Sequence, residues 1–93
     1  MEMGKFDTFE TTTALSNARK GFRGRLVCLL PIEGTGRLSS EEMERRLIEM
    51  GFIEGAELEV LHEGPFGRDP IAVRVGNATV ALRRRDAMAI LAE

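Results

Sequence analysis

The stretch SSEEMERRLIEMGFIEGAELEV, residues 39–60, changes its hydrophobic period halfway along, and that change decides the fold. Ser39 and Glu42 have the S-x-x-E spacing of a capping box, in which each side chain satisfies a free amide of a helix's first turn. Leu38 and Met43 flank this cap at hydrophobic-staple spacing. Met43, Leu47 and Met50 then recur at i, i+4 and i+7, the stripe of a helix with one buried face. Glu41–Arg45, Glu42–Arg46 and Arg45–Glu49 stand four apart on the other face, where such pairs contribute about 0.2–0.5 kcal/mol each. Gly51 falls where the chain needs a left-handed residue to end the helix, and Phe52 is placed to fold back on Leu47. A helix over 40–50 is therefore predicted. From Glu57 onward the period is two: Leu58 and Val60 alternate with Glu57 and Glu59, as in a half-buried strand.

Working outward, strand patterns continue on both sides. RLVCLL (25–30) is apolar at successive positions and stops at Pro31, which predicts a strand covered on both faces. GPFGRD (64–69) is a loop by its glycine and proline content. IAVRV (71–75) and ATVALR (78–83) alternate, and Gly76-Asn77 between them is a two-residue hairpin turn. RRDAMA reads as a short helical turn and ILAE as a closing strand, while SNARKGFRG (16–24) opens the ordered part as a turn ending near Gly21. Residues 1–14, rich in threonine, show no sustained periodicity and are read as a tail, partly ordered at best. The order β-α-β-β-β-turn-β suits a mainly β domain that buries its sheet edges by rolling up. The expected fold is a small SH3-like barrel of about five strands with one inserted helix, occupying residues 15–93.

Composition narrows the function. Ninety-three residues, 43% hydrophobic and 30% charged, describe one globular domain. No apolar run approaches the roughly 18 residues that span a bilayer, and the N-terminus lacks a signal-peptide stretch, so a cytoplasmic location is expected. Cys28, the single cysteine, fits a reducing compartment. Net charge is −2, with nine Glu against three Arg in residues 33–63 and an excess of +2 on either side. A slightly acidic chain argues against nucleic acid, which is held by Lys and Arg. Arg83-Arg84-Arg85 is the one counter-signal, and three arginines at a strand end read as a solvated edge.

EGTGRLSSEE (33–42) has the strand–glycine–helix look of a phosphate loop but lacks its chemistry. No Gly-Lys-Ser/Thr follows, and no lysine occurs after Lys20. Glu41 and Glu42 already occupy the positive end of the helix dipole. The stretch reads as a crossover from strand to helix. No nucleophile–base pair forms among sequence neighbours, so no catalytic residue is assigned. Cys28 and His62 are the weak candidates for metal ligation, short of the three or four ligands such a site needs. Cys28 in an apolar strand reads first as packing. The absence of Trp and Tyr, with Phe only at 6, 9, 22, 52 and 66, excludes the aromatic groove that binds proline-rich peptides.

RRLIEMGFIEGAELEV (45–60), GPFGRDPIAVRV (64–75) and ATVALRRRDAMAIL (78–91), in that order, closely resemble the FeoA family of small SH3-like proteins associated with bacterial ferrous-iron uptake. LSNARKG (15–21) is similar to the family's opening segment. The chain departs from the pattern in its longer N-terminal tail and in Arg68, inserted in the PFG-x-DP loop. The resemblance implies a cytosolic, non-enzymatic accessory protein whose partner is FeoB, a membrane ferrous-iron permease with a cytosolic GTP-binding domain. No cofactor is expected, Fe2+ or another divalent metal being the alternative that the ligand spacing does not support, and the expected state is a monomer or a weak homo-oligomer. The same module occurs behind winged-helix domains in metal-dependent repressors, but residues 1–14 are too short for one. Exposed positions would carry the docking: Arg45 and Arg46 on the helix, and Phe66 and Arg68 at the loop tip. The alternatives are a metal sensor using Cys28 and His62, or a modulator of the partner's GTP hydrolysis acting through an arginine.

Overall fold

A computed structural model describes residues 12–33 and 38–93. Most of the expected tail, residues 1–11, and the glycine-containing crossover at 34–37 lie outside the described residues. The described residues form six strands: β1 (Thr13–Ala14), β2 (Arg23–Leu29), β3 (Glu57–Glu63), β4 (Ile71–Val75), β5 (Ala78–Leu82) and β6 (Ile90–Ala92). Helix α1 (Ser40–Glu49) separates β2 from β3, and α2 (Arg84–Ala87) separates β5 from β6. Neighbouring strands pair antiparallel in the order β1-β6-β2-β3-β4-β5. Among the described residues no ladder joins β1 to β5, so the sheet is rolled without being closed by hydrogen bonds. The sixth strand is β1, two residues ahead of the expected start of order, where Thr13 and Ala14 pair with Ala92 and Leu91.

Helix α1 begins and ends on the residues its punctuation predicts. The Glu42 N–H donates to Ser39 Oγ at 3.2 Å, and the Ser39 N–H donates to Glu42 Oε1 at 3.0 Å, completing the capping box. The Ser39 N–H, with the Ser39 hydroxyl donating to the same oxygen at 3.1 Å, holds the Glu42 carboxyl below the ordinary glutamate range. At the other end Gly51 has φ 106°, the Phe52 N–H donates to Leu47 O and the Gly51 N–H to Ile48 O. This Schellman turn reverses the chain and drives Phe52 inward, where it and Leu47 are fully buried. Met43 is buried beside them and Met50 half-buried. The expected i,i+4 ion pairs do not close: among the described residues no carboxylate lies within 4.0 Å of Arg45 or Arg46. Long exposed side chains lose more entropy in such contacts than water-screened attraction returns.

The ion pairs run across the strands instead. Glu59 sits between Arg23 on β2 and Arg74 on β4, at 3.4 and 2.6 Å. The register that sets Arg23 opposite Glu59 and Glu59 opposite Arg74 places these side chains as cross-strand neighbours. The Arg74 bond is the main cause of a lowered Glu59 pKa. Leu58 and Val60 of β3, Ile71, Val73 and Val75 of β4, and Leu82 of β5 point inward as their alternation predicts. The β4–β5 turn contains only Gly76 and Asn77, with Gly76 alone at positive φ, 59°.

Strand β2 differs from expectation. Only Leu26 of its residues is buried, and Cys28 is exposed rather than packed. Leu26 pairs with Ala92 and Cys28 with Leu91, so Val27 is an extra residue. Such a bulge shifts the alternation by one and turns Cys28 to the outside. A second irregularity between Val60 and His62 bends β3 in the same way.

Candidate functional site

The loop between β3 and β4 begins at Gly64, whose N–H donates to Pro70 O at 2.8 Å. A side chain at Gly64 would run into the Asp69 carbonyl, so the loop's neck admits only glycine without rearrangement. Gly67 and Arg68 then turn at φ 67° and 64°, and the Asp69–Pro70 peptide is cis. Residues 64–69 thus fold as a tight turn whose apex is Phe66, 83% exposed. That exposure excludes a Phe tucked over the barrel end.

What braces this loop is Arg84, the middle of the three arginines. Its backbone N–H donates to Asp69 Oδ1 at 2.9 Å, so the loop caps the first turn of α2. Its Nε donates to Arg68 O at 2.7 Å, and Nη1 to Ser16 O and Ala18 O at 2.7 and 3.0 Å. Nη2 lies 3.4 Å from Glu63 Oε2. One planar fork therefore ties the N-terminal turn, the loop and the end of β3 together. Arg84 is partly buried, unlike its exposed neighbours Arg83 and Arg85. The solvated-edge reading fits those two and fails for Arg84.

Glu63 is the electrostatic centre. Its Oε2 accepts the Lys20 N–H at 2.9 Å, and Arg19, Arg84 and Arg68 approach to 3.4, 3.4 and 3.8 Å. The Lys20 amide, opposed by partial burial and helped by Arg19, Arg68 and Arg84, holds its carboxyl below the ordinary glutamate range. One carboxylate facing three guanidiniums leaves positive charge over. It is displayed by Arg19 and Arg68, whose side chains are exposed.

The remaining candidates fall as follows. Phe66 and Arg68 share the loop tip. Arg46 is exposed on α1 and lines a groove of about 320 Å³ with Leu38, Met43, Met50, Ala81, Leu82, Arg83 and Asp86. That groove reaches Arg83, and no residue of the 64–69 loop lines it. Arg45, about 100° further round the helix, does not line the groove and stands apart. Cys28 and His62 are not brought together. Cys28 pairs with Leu91 of β6, and His62 with Ala72 of β4. Among the described residues no three His, Cys, Asp or Glu side chains are grouped to hold a metal ion. Among the described residues no helix is long and apolar enough to cross a membrane. Sequence reasoning missed Glu63, Arg84, Asp69 and Arg19; the repeated arginines and the Asp-Pro pair were visible, but their convergence is a long-range fact.

Known proteins sharpen this geometry. The FeoA domain model matches residues 13–93. FeoA of Stenotrophomonas maltophilia, solved with zinc and described as an SH3-domain protein and candidate activating factor of bacterial ferrous-iron transport, is 26% identical. It superposes with a TM-score of 0.72 over 87% of this chain and 89% of that one. Iron(II) transport protein A of Clostridium thermocellum is 32% identical, with a TM-score of 0.70 over 87% of this chain and 44% of that one. A manganese-dependent transcriptional repressor in complex with manganese is 25% identical, with a TM-score of 0.69 over 89% of this chain and 36% of its own. No curated protein matches the sequence. The rolled sheet is thus an SH3-like barrel, and with a family model spanning all but its first residues, the chain belongs to the FeoA family.

Proposed function

We propose that this protein is a cytosolic accessory module of ferrous-iron uptake that docks on the cytosolic part of a FeoB-type transporter through the Phe66 loop. The observation that carries this reading is an aromatic side chain 83% exposed on a loop held by Arg84 and Asp69. A large apolar group on a pre-ordered turn costs little further entropy on binding, and aromatic side chains are frequent interface anchors. Arg68 of the same loop and Arg19, which shares the Glu63 carboxylate with it, are exposed and favour an acidic rim on the partner. Docking alters transport only through preference for one conformation of the partner. Pull-down with the transporter's purified cytosolic GTP-binding region tests the reading, with GTP turnover as a second readout. Arg45, Arg46, Phe66 and Arg68 replaced together by Ser should abolish binding. Retention by that variant at wild-type strength would reject the surface. Phe66→Ser and Arg68→Ser should account for most of the loss, and Arg45→Ser for little.

A further inference from the structure

On another face, between β2 and the end of α1, lies an apolar groove of about 320 Å³. Val27 and Cys28 of β2 line it together with Ile48 and Ile53. Its exposure is built by two features already described. The β2 bulge turns Cys28 outward, and the Schellman turn that buries Phe52 leaves the next residue, Ile53, in water. Ile48 is 44% and Ile53 55% exposed, and Cys28 is exposed beside them. Glu44 and Glu54 also line the groove, and no lysine or arginine does. An apolar floor under an acidic rim selects a particular class of ligand. We infer that this groove binds a cationic amphipathic segment of another protein, whose apolar side chains cover Ile48 and Ile53 while its Lys or Arg meet Glu44 and Glu54.

Charge argues against the other occupants. A two-fold dimer through this face would set acidic rim against acidic rim. Residues 1–11 carry Glu2, Asp7 and Glu10 against Lys5 alone and are mismatched in the same sense. The inference does not rest on the Phe66 docking surface, and a Phe66→Ser variant should leave it intact.

Titrating the isotope-labelled full chain with an 18-residue amphipathic Leu/Lys peptide, and with its Leu/Glu counterpart, tests the idea by NMR. The Leu/Lys peptide should bind saturably and shift the amides of Val27, Cys28, Ile48 and Ile53. Ile48→Ser with Ile53→Ser should weaken it at least tenfold. Glu44→Lys with Glu54→Lys, at exposed positions that spare the fold, should reverse the preference toward the Leu/Glu peptide. Saturable binding that maps elsewhere, that ignores either pair of substitutions, or that fails to appear would overturn the inference. So would sedimentation showing a dimer that Ile48→Ser dissolves.

Discussion

Arg83 and Arg84 are chemically identical neighbours that the fold uses differently, and replacing each by methionine separates the two roles. Methionine keeps an apolar stem and removes the guanidinium. At position 84 this strips the donors from Ser16 O, Ala18 O and Arg68 O. A hydrogen bond from a charged group contributes about 1.5–3 kcal/mol when shielded from water. The Ala18 carbonyl belongs to a residue 5% exposed and the Arg84 side chain is 19% exposed, so the bonds to the N-terminal turn approach that range. The bond to Arg68 O lies on an exposed loop and adds less. The Glu63 contact adds little, since Arg19 and Arg68 remain beside that carboxylate. Arg84→Met should therefore cost about 2–3 kcal/mol and lower Tm by about 10–20 °C. Arg83→Met, at an exposed position, should stay within about 0.5 kcal/mol of the parent. Urea melts at neutral pH measure both, and hydrogen exchange locates the effect: the Lys20, Gly64 and Arg84 amides should lose protection in Arg84→Met alone. Equal losses for the two variants, or a change below about 0.5 kcal/mol at Arg84, would refute the bracing role.

Other substitutions probe separate parts of the account. Phe52→Ala empties a fully buried site and should cost about 3–5 kcal/mol in denaturant melts. Gly64→Ala drives a methyl group into the Asp69 carbonyl and should cost more than about 1 kcal/mol, with lost exchange protection confined first to the loop. At Gly51, φ 106° is the difficulty rather than space, because an added Cβ would only touch Val75 at 3.6 Å; alanine there should cost about 1–2 kcal/mol in the same melts. Glu63 binds its proton less readily folded than unfolded, so its stabilisation is present above the ordinary glutamate pKa and fades as pH falls through the lowered one. Between about pH 5 and 3 the urea midpoint should therefore fall less steeply for Glu63→Gln than for the parent, and parallel curves would contradict this.

The elements whose signals are local were legible in the sequence. The capping box, the glycine stop and the stripe through Met43 and Leu47 specify α1 between Ser39 and Gly51, and the alternation in ELEV and IAVRV specifies two strands with their inward faces, while in ATVAL it specifies a strand of which only Leu82 is buried. Cys28 was misread because a bulge at Val27 leaves no local mark: the residues are ordinary strand formers, and their pairing with Leu91 and Ala92 decides the offset. Thr13–Ala14 was too short to show a period and is ordered by its pairing with β6. Phe66 and Arg68 were legible as a loop tip, but whether that tip was exposed depended on what held it. The brace comes from Arg84, remote in sequence, and three adjacent arginines give no hint which one turns inward.

The most direct measurement is an NMR titration of the labelled full chain with the purified cytosolic GTP-binding region of a FeoB-type transporter, run in parallel on Phe66→Ser. The largest shifts should fall on Phe66, Gly67 and Arg68, with Arg19 following, and Phe66→Ser should bind at least tenfold more weakly while melting at the parent's temperature. Undiminished binding by that variant, or shifts confined to the outer faces of β2, β3 and β4, would contradict the assignment of the loop as the docking surface.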